Sequence, residues 1–206
     1  MIAIVDYGVG NLFSLKSSFA AVGAEAVVSA DASVLRAADK LILPGVGAFG
    51  DAAQKLRDSG LADVVKEQAE AGKPLLGICL GMQLLFDTSF EYGEHQGLGL
   101  IKGNIRPIAE VIPPHLKIPH IGWNSLTFTR ENPLFRYIRE GDFVYFVHSF
   151  YATDCDEAVI AVSDYGASLT AAVASGNVYG CQFHPEKSGE VGLHILRAFC
   201  EEEGTR

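Results

Sequence analysis

The sequence predicts an α/β fold: a three-layer open sheet with a parallel N-terminal half, an antiparallel C-terminal extension and a nucleophile elbow after a central strand. Up to residue 86, short apolar runs alternate with segments of helical periodicity, as parallel strands alternate with the helices that cover both faces of their sheet. From Gly97 onward, short β-like segments separated by Gly, Pro and Asn indicate antiparallel strands.

The composition fits a single soluble domain spanning residues 1–206. Hydrophobic residues make up 49% of the chain, and the net charge is −9. Because no cluster of Lys and Arg is present, binding to nucleic acid or to an anionic membrane has no electrostatic support. The first residues carry no basic leader and no apolar run could span a bilayer, so we expect a cytoplasmic protein.

The first part of the chain predicts strands and helices in alternation. Strands are expected at residues 2–5, 25–29 and 40–43, and helices at residues 12–22, 49–59 and 61–71. The fragment Gly8-Val9-Gly10 suggests a dinucleotide-binding turn. That interpretation is weak, because Phe13 stands where the third glycine of the fingerprint belongs.

A buried-strand pattern at residues 75–78 ends abruptly at Cys79, where a helical pattern begins. Gly77 and Gly81 flank the cysteine with the spacing of a nucleophile elbow, a sharp strand-to-helix turn. The thiol would lie beside the N–H groups at the start of the helix, which favour the thiolate, and the N–H of Leu80 could donate to an oxyanion. A buried structural cysteine is the alternative for Cys79 taken alone.

Residues 43–50 form a glycine-rich loop between the third strand and its helix. Loops at the carboxyl ends of parallel strands meet at one edge of the sheet, so this loop should lie beside Cys79. Backbone N–H groups near Val46 could then supply a second oxyanion donor. An ordinary strand-to-helix turn is the alternative.

The C-terminal half predicts short strands and a closing helix. The strands are expected at residues 98–101, 105–108, 121–128, 143–147, 159–162, 169–174 and 178–183. Residues 175–177 predict a hairpin turn between the last two strands. A helix should begin near Ser188 and bury Val191, Ile195, Leu196, Phe199 and Cys200.

The last strand leads into His184-Pro185-Glu186, which places an imidazole and a carboxylate on one side of an extended chain. A catalytic thiol needs both, because histidine moves the proton and the carboxylate fixes the ring tautomer. Taken singly, a strand-end histidine and a solvated loop charge are the simpler interpretations. Together with the elbow and the glycine-rich loop, they predict a catalytic triad.

The cysteines do not indicate a metal site or a disulfide framework. Cys79, Cys155, Cys181 and Cys200 are scattered without Cys-x-x-Cys spacing. We therefore expect free thiols, no metal and no cofactor.

The elbow, the Pro44-Gly45 loop and the His-Pro-Glu segment stand in the order found in class I (triad) glutamine amidotransferases, which the whole chain resembles. The resemblance implies that Cys79 is the nucleophile that forms a γ-glutamyl thioester. His184 would be the general acid and base, and Glu186 its orienting carboxylate.

The resemblance also assigns the groups around the nucleophile. The oxyanion hole would comprise Val46, Gly47 and Leu80, and the substrate-binding residues would be Gln83, Ser149 and Phe150. The family often has glycine where Val46 stands. Because a β-branched residue resists positive φ, we hypothesise that this peptide rests with its carbonyl toward the site until a ligand of the partner binds.

Five segments, residues 44–49, 77–83, 119–124, 145–149 and 183–187, resemble the branch of the family that serves histidine biosynthesis. In that branch the glutaminase forms a heterodimer with a separate (β/α)8-barrel cyclase, which receives the ammonia. The resemblance places Asn11, Trp123, Asn124, Tyr145 and Lys187 at the interface with this partner.

Other functions stay open at the level of the sequence. A class I glutaminase could serve another acceptor, although residues 119–124 and 145–149 speak against the pyridoxal phosphate and anthranilate branches. A cysteine peptidase or thioesterase, or a binding module on the same fold, are the alternatives from other classes. Five histidines receive no role: His95, His115, His120, His148 and His194.

Overall fold

The computed structural model of the protein describes residues 1–203. The helices are α1 (Leu12–Ala21), α2 (Ala32–Ala37), α3 (Phe49–Asp58), α4 (Leu61–Glu70), α5 (Leu80–Gln83) and α6 (Gly189–Cys200). The strands are β1 (Ile2–Val5), β2 (Ala26–Ser29), β3 (Lys40–Leu43), β4 (Leu75–Ile78), β5 (Thr88–Ser89), β6 (His95–Gln96), β7 (Asn104–Pro107), β8 (His120–Ser125), β9 (Thr127–Phe128), β10 (Phe143–His148), β11 (Phe150–Thr153), β12 (Val159–Asp164), β13 (Ser168–Ser175) and β14 (Val178–Cys181). Within this range, no helix has the length and apolarity needed to cross a membrane.

Within residues 1–203, the main sheet has eight strands in the order β2-β1-β3-β4-β14-β13-β12-β9. The strands from β2 to β14 are parallel, and β13, β12 and β9 are added antiparallel. The predicted fold class is therefore confirmed. Because β14 lies between β4 and β13, the chain that leaves it emerges beside the elbow that follows β4.

Helices pack on both faces of the sheet and make the three layers. The alternation along β3 decides which face each residue joins: Leu41 and Leu43 pack with Phe49 on one face, while Ile42 packs with Phe199 on the other. Such a strand, buried on both sides, is typical of a parallel sheet between helices.

Two smaller sheets cover the carboxyl edge of the parallel strands. One pairs β10 with β8, and the other has the order β11-β7-β5-β6 within residues 1–203. They carry the chain segments that face the loop after β3 and the elbow after β4.

Two sequence predictions about local structure are wrong, and one helix was not predicted. Residues 98–101 form no strand, because the N–H groups of Leu98 and Leu100 donate to the carbonyls of Leu84 and Leu85 at the end of α5. The expected strand at 121–128 is divided between β8 and β9, which belong to different sheets. Helix α2 was not predicted; it begins after Asp31, whose carboxylate accepts a hydrogen bond from the N–H of Ser33.

Candidate active site

Cys79 lies at a sharp turn between β4 and α5. Its backbone has φ 54° and ψ −113°, a conformation that costs free energy for a residue with a side chain. The N–H of Cys79 donates to the carbonyl of Cys181 over 2.7 Å, so the elbow is bonded to the end of β14. This is the geometry of the nucleophile elbow that the spacing predicts.

Backbone contacts explain the glycines on either side of the nucleophile. A Cβ atom at Gly81 would lie 1.8 Å from the carbonyl oxygen of Leu43, and one at Gly77 would lie 2.7 Å from the carbonyl oxygen of Gly81. A Cβ atom at Gly45 would lie 2.6 Å from the N–H nitrogen of Gly81. The glycine-rich loop and the elbow can pack this closely because none of these positions has a side chain.

The helix that follows Cys79 is much shorter than the sequence pattern suggests. Helix α5 has a single turn, Leu80–Gln83, and the three residues that follow it, Leu84, Leu85 and Phe86, are buried. The expected support of the thiolate by a helix dipole is therefore weak, since four residues sum to a small dipole. Nearby side chains have to supply most of the stabilisation of the thiolate.

His184 and Glu186 are the first of these side chains. Nδ1 of His184 lies 2.8 Å from Oε1 of Glu186, and both side chains are almost fully buried. Burial lowers the pKa of His184, but hydrogen bonds with Cys79 and Glu186 outweigh it and raise that pKa to about 9. The Nδ1–H therefore donates to the carboxylate, and the other ring nitrogen faces the thiol.

The backbone of His184 is fixed by neighbouring segments. Its N–H donates to the carbonyl of Tyr145 over 2.9 Å, and the hydroxyl of Ser188 donates to the carbonyl of His184 over 2.6 Å. The same hydroxyl oxygen accepts a hydrogen bond from the N–H of Tyr145. No sequence pattern predicts this role of Ser188, because it depends on a strand 43 residues away.

The loop after β3 approaches the nucleophile as predicted. The hydroxyl of buried Tyr7 donates to the carbonyl of Pro44 over 2.6 Å and anchors the start of the loop. Gly47 has φ +91°, and Val46 is 44% exposed. Within residues 1–203 the non-glycine residues with positive φ do not include Val46, in keeping with its β-branched side chain. Leu80 begins α5, where N–H groups have no partner within the helix.

These groups open into one cavity of about 240 Å³. The cavity is smaller than the roughly 300–1,000 Å³ of sites for drug-sized ligands, so it suits a small substrate. The sequence-predicted residues that line it are Val46, Gly47, Cys79, Leu80, Gln83, Ser149, Phe150 and His184. Glu186 lies behind His184, outside the lining.

Glu91 also lines the cavity and was not predicted. It is buried, its Oε2 accepts a hydrogen bond from the N–H of Phe49 at the start of α3, and burial raises its pKa. Neighbouring Tyr92 is exposed at the mouth. No sequence signal marks Glu91, since a single carboxylate in a loop is ordinarily solvated.

The strand pair β8 and β10 forms a rim beside the cavity. On one face, Trp123 lies opposite Tyr145 with ring centroids 6.2 Å apart, and Nζ of Lys187 lies 5.9 Å from the Tyr145 ring. Trp123 is 54% exposed, so it is not a core residue. Ile121 and Phe143 on the same face are also exposed, which makes an apolar surface next to the site.

The other predicted interface residues are placed differently. Asn11 precedes α1 and is half-buried. Asn124 lies on the opposite face of β8 from Trp123, and its amide donates to the carbonyl of Asp164. Its contact with a partner stays a prediction that this orientation does not support.

The histidines without an assigned role include a buried pair. Nδ1 of His120 lies 3.0 Å from Nε2 of His148, and Nδ1 of His148 lies 2.8 Å from the carbonyl oxygen of Phe150. Burial lowers the pKa of His120 and lowers that of His148 to about 4. Both side chains are buried, so neither ring lies on the surface.

The fold and the triad define a cysteine-dependent hydrolase built on an open α/β sheet. Cys79 lies on a strained turn, the imidazole and carboxylate follow the neighbouring strand, and residues of the loop after β3 and of the elbow line a small cavity.

Comparisons with known proteins narrow this class. The family model for glutamine amidotransferase class-I matches residues 3–202. The chain is 50% identical over 202 residues to the imidazole glycerol phosphate synthase subunit HisH of Lactococcus lactis subsp. lactis strain IL1403, covering 98% of each chain. It is 51% identical over 199 residues to the protein of that name from Bacillus cereus strain ATCC 14579, covering 97% of this chain and 93% of the relative.

The fold matches a solved structure described as PurLQS from Thermotoga maritima, with a TM-score of 0.75 and 22% identity, covering 97% of this chain and 96% of that one. The chain belongs to the class I glutamine amidotransferase family. The family resemblance that the sequence motifs indicate is thus confirmed.

Proposed function

We propose that this chain is the glutaminase subunit of an imidazole glycerol phosphate synthase. It hydrolyses glutamine to glutamate and ammonia, and a (β/α)8-barrel cyclase in the same heterodimer consumes the ammonia in histidine biosynthesis, in the cytoplasm. The observation that carries the proposal is the buried Cys79, His184 and Glu186 set at the wall of a cavity sized for an amino acid. The identity near 50% to HisH subunits supports the choice of branch.

The cavity offers complementary groups for free glutamine. The carboxylate of Glu91 suits the α-ammonium group, and the main chain at Ser149 and Phe150 suits the rest of the amino-acid backbone. With these ends held, the side-chain carboxamide extends toward Cys79. The cavity of about 240 Å³ has little room for a peptide or thioester beside Glu91 and Tyr92, so a free amino acid fits best.

The reaction takes two steps at the sulfur of Cys79. The thiolate adds to the side-chain carbon of glutamine, and the oxyanion accepts hydrogen bonds from the Leu80 N–H and from the loop at Val46 and Gly47. The C–N bond then breaks as His184 gives its proton to the nitrogen, which leaves ammonia and a thioester. Water attacks the thioester while His184 takes a proton from it, and the C–S bond breaks to give glutamate and the thiolate.

The exposed apolar face of β8 and β10 supports a partner that covers the site. Trp123 and Tyr145 are amphipathic anchors of the kind enriched at interfaces, and they lie on the face that continues into the cavity through Val147. A lid of this kind would keep the released ammonia away from bulk water.

The test is ammonia release from glutamine by the purified chain, alone and with its organism's cyclase subunit plus the cyclase's nucleotide substrate. We expect strong stimulation in the complex, formation of imidazole glycerol phosphate, and loss of both in Cys79→Ala. Ammonia release without any response to the cyclase would move the assignment to a glutaminase of another acceptor. Cleavage of peptides or thioesters without ammonia release from glutamine would refute the proposal.

A further inference from the structure

Two glutamine side chains form a buried chain of hydrogen bonds that ends on the nucleophile. Nε2 of Gln83 lies 3.2 Å from the carbonyl oxygen of Phe150 and 3.0 Å from Oε1 of Gln182. Nε2 of Gln182 in turn lies 3.8 Å from Sγ of Cys79, within hydrogen-bond distance for sulfur. Gln182 has no exposed surface, and Gln83 is 5% exposed.

The direction of these hydrogen bonds follows from their first member. A backbone carbonyl can only accept, so the group that faces the Phe150 oxygen must be the NH2 of Gln83. Its second N–H then requires an acceptor, which fixes the oxygen of Gln182 in that place. The NH2 of Gln182 is thereby left to face the sulfur.

The Phe150 carbonyl is itself held from a second side. Nδ1 of His148 lies 2.8 Å from the same oxygen. The Phe150 carbonyl therefore has little freedom to turn. The fold thus sets which end of each amide, of Gln83 and of Gln182, donates and which accepts.

We propose that Gln182 is a further catalytic residue, whose amide N–H donates to the sulfur of Cys79 and stabilises its thiolate. A neutral thiol is a weak acceptor and a thiolate a strong one, so this hydrogen bond strengthens as the nucleophile ionises. Gln182 and His184 are two residues apart just after β14, and the side chains of both approach Cys79. One segment thus brings both a donor and the acid and base to the sulfur.

A purely structural role would make a different prediction. If Gln182 only satisfied the amide of Gln83, its removal would change the free energy of unfolding and leave the titration of the thiol where it was. The pH dependence of thiol reactivity therefore separates the two roles.

Iodoacetamide alkylation of Cys79, followed by mass spectrometry of its peptide from pH 5 to 10, measures this directly, since only the thiolate reacts. Gln182→Met removes the donor without adding charge, and Gln182→Glu keeps the oxygen for Gln83 but turns an acceptor toward the sulfur. We expect both profiles to move to higher pH and the rate at neutral pH to fall roughly tenfold or more, as for a hydrogen bond to a charged group. The plateau at high pH should not fall below that of the wild type, because a thiolate of higher pKa is at least as nucleophilic, and this excludes a loss of access.

Ser163→Ala is the matched control, because Ser163 is buried and its hydroxyl donates to the carbonyl of Ser125, away from the cavity. It should lose stability without moving the profile. Wild-type profiles in folded Gln182 variants would overturn the proposal. If both variants fail to fold, Gln83→Met provides the test. It removes the hydrogen bond that orients the Gln182 amide, so the pH profile of alkylation should move in the same direction by a smaller amount. An unchanged profile would overturn the proposal.

This inference rests on the proposed function for the identity of the reaction, but the alkylation needs no glutamine. In the complex with the cyclase and its nucleotide, Gln182→Glu should lower kcat and leave KM unchanged, because it keeps the acceptor for Gln83 and loses only the amide N–H that touches the sulfur. An absence of glutaminase activity in the wild type would count against the proposed function and leave the alkylation result to stand by itself.

Discussion

His184 and Glu186 face each other across 2.8 Å, from Nδ1 of the ring to Oε1 of the carboxylate, in a region closed to solvent. The pair follows β14, which lies directly beside the strand that ends in Cys79. The separation of the two residues along the chain is short, but their joint position at the thiol depends on the order of the strands in the sheet.

Replacing Glu186 with Gln should leave the size of the side chain and remove the charge that fixes the imidazole. The amide can present its NH2 to Nδ1 and impose the wrong ring tautomer, so we expect kcat for ammonia release to fall by a factor on the order of 10³ to 10⁴. The assay is ammonia release in the complex with cyclase and nucleotide. A kcat within a factor of about ten of the wild type would argue against an orienting role for Glu186.

Gly81→Ala should disrupt the elbow, because the added Cβ would lie 1.8 Å from the carbonyl oxygen of Leu43. Backbone on both sides has to move, and we expect a loss of more than about 4 kcal/mol in the free energy of unfolding by urea, or no folded protein. Gly23→Ala is the control, since Gly23 has φ +78° but no atom within 4 Å of the added Cβ. It should cost about 1 kcal/mol, and equal losses in the two variants would contradict the close packing.

Val46→Gly should raise the glutaminase activity of the chain in the absence of its partner. Glycine adopts positive φ freely, so the peptide could turn its N–H toward the oxyanion without help from a ligand. A missing donor of this kind costs roughly a hundredfold in rate, which sets the scale of the possible gain. Activity in the full complex should change little. If the isolated variant were as slow as the wild type, gating by this peptide would be refuted.

His148 should make the protein less stable in acid. Burial lowers the pKa of His148 from 6.5 to about 4. The charges of His120 and His184 lower this pKa further, whereas the hydrogen bond to the carbonyl of Phe150 raises it. The unfolded chain therefore binds a proton that the folded chain does not, and stability falls as pH drops from 6.5 toward 4, then levels off.

Between pH 7.5 and 4.5 this group should contribute a loss of about 2 kcal/mol in the free energy of unfolding. Urea titrations at the two pH values, made on the wild type and on His148→Gln, isolate the contribution of His148 to the free energy of unfolding. Every other group titrates in both proteins and cancels in the comparison. The wild type should lose more than the variant. Equal losses would mean that His148 is protonated in the folded state.

Local patterns predicted the parts of the fold that local patterns control. The glycines around Cys79 predicted the elbow, and the turn at residues 175–177 predicted the hairpin between β13 and β14. The apolar run at 98–101 correctly indicated burial, with Leu98 and Ile101 both buried, but not the partner of its N–H groups, which is the end of α5. Hydrophobicity reports that a residue is inside and does not report what its backbone bonds to.

The site was predictable where its residues form a motif. Cys79, His184 and Glu186 stand in recognisable spacings. By contrast, Glu91 accepts a hydrogen bond from the N–H of Phe49, 42 residues away, and Ser188 accepts one from the N–H of Tyr145, 43 residues away. Their roles arise from contacts between distant segments, for which one sequence has no signal. The resemblance to a family assigned the oxyanion and substrate residues; they line one cavity, and their roles stay predictions.

Capture of the thioester would show whether Cys79 is the nucleophile. The chain, in complex with cyclase and nucleotide, is mixed with glutamine and quenched in acid, and its peptides are weighed by mass spectrometry. We expect a γ-glutamyl group on Cys79 and none on Cys155, Cys181 or Cys200, with no adduct in Cys79→Ala. Ammonia released by Cys79→Ala at the wild-type rate, or a γ-glutamyl group on another cysteine, would contradict it.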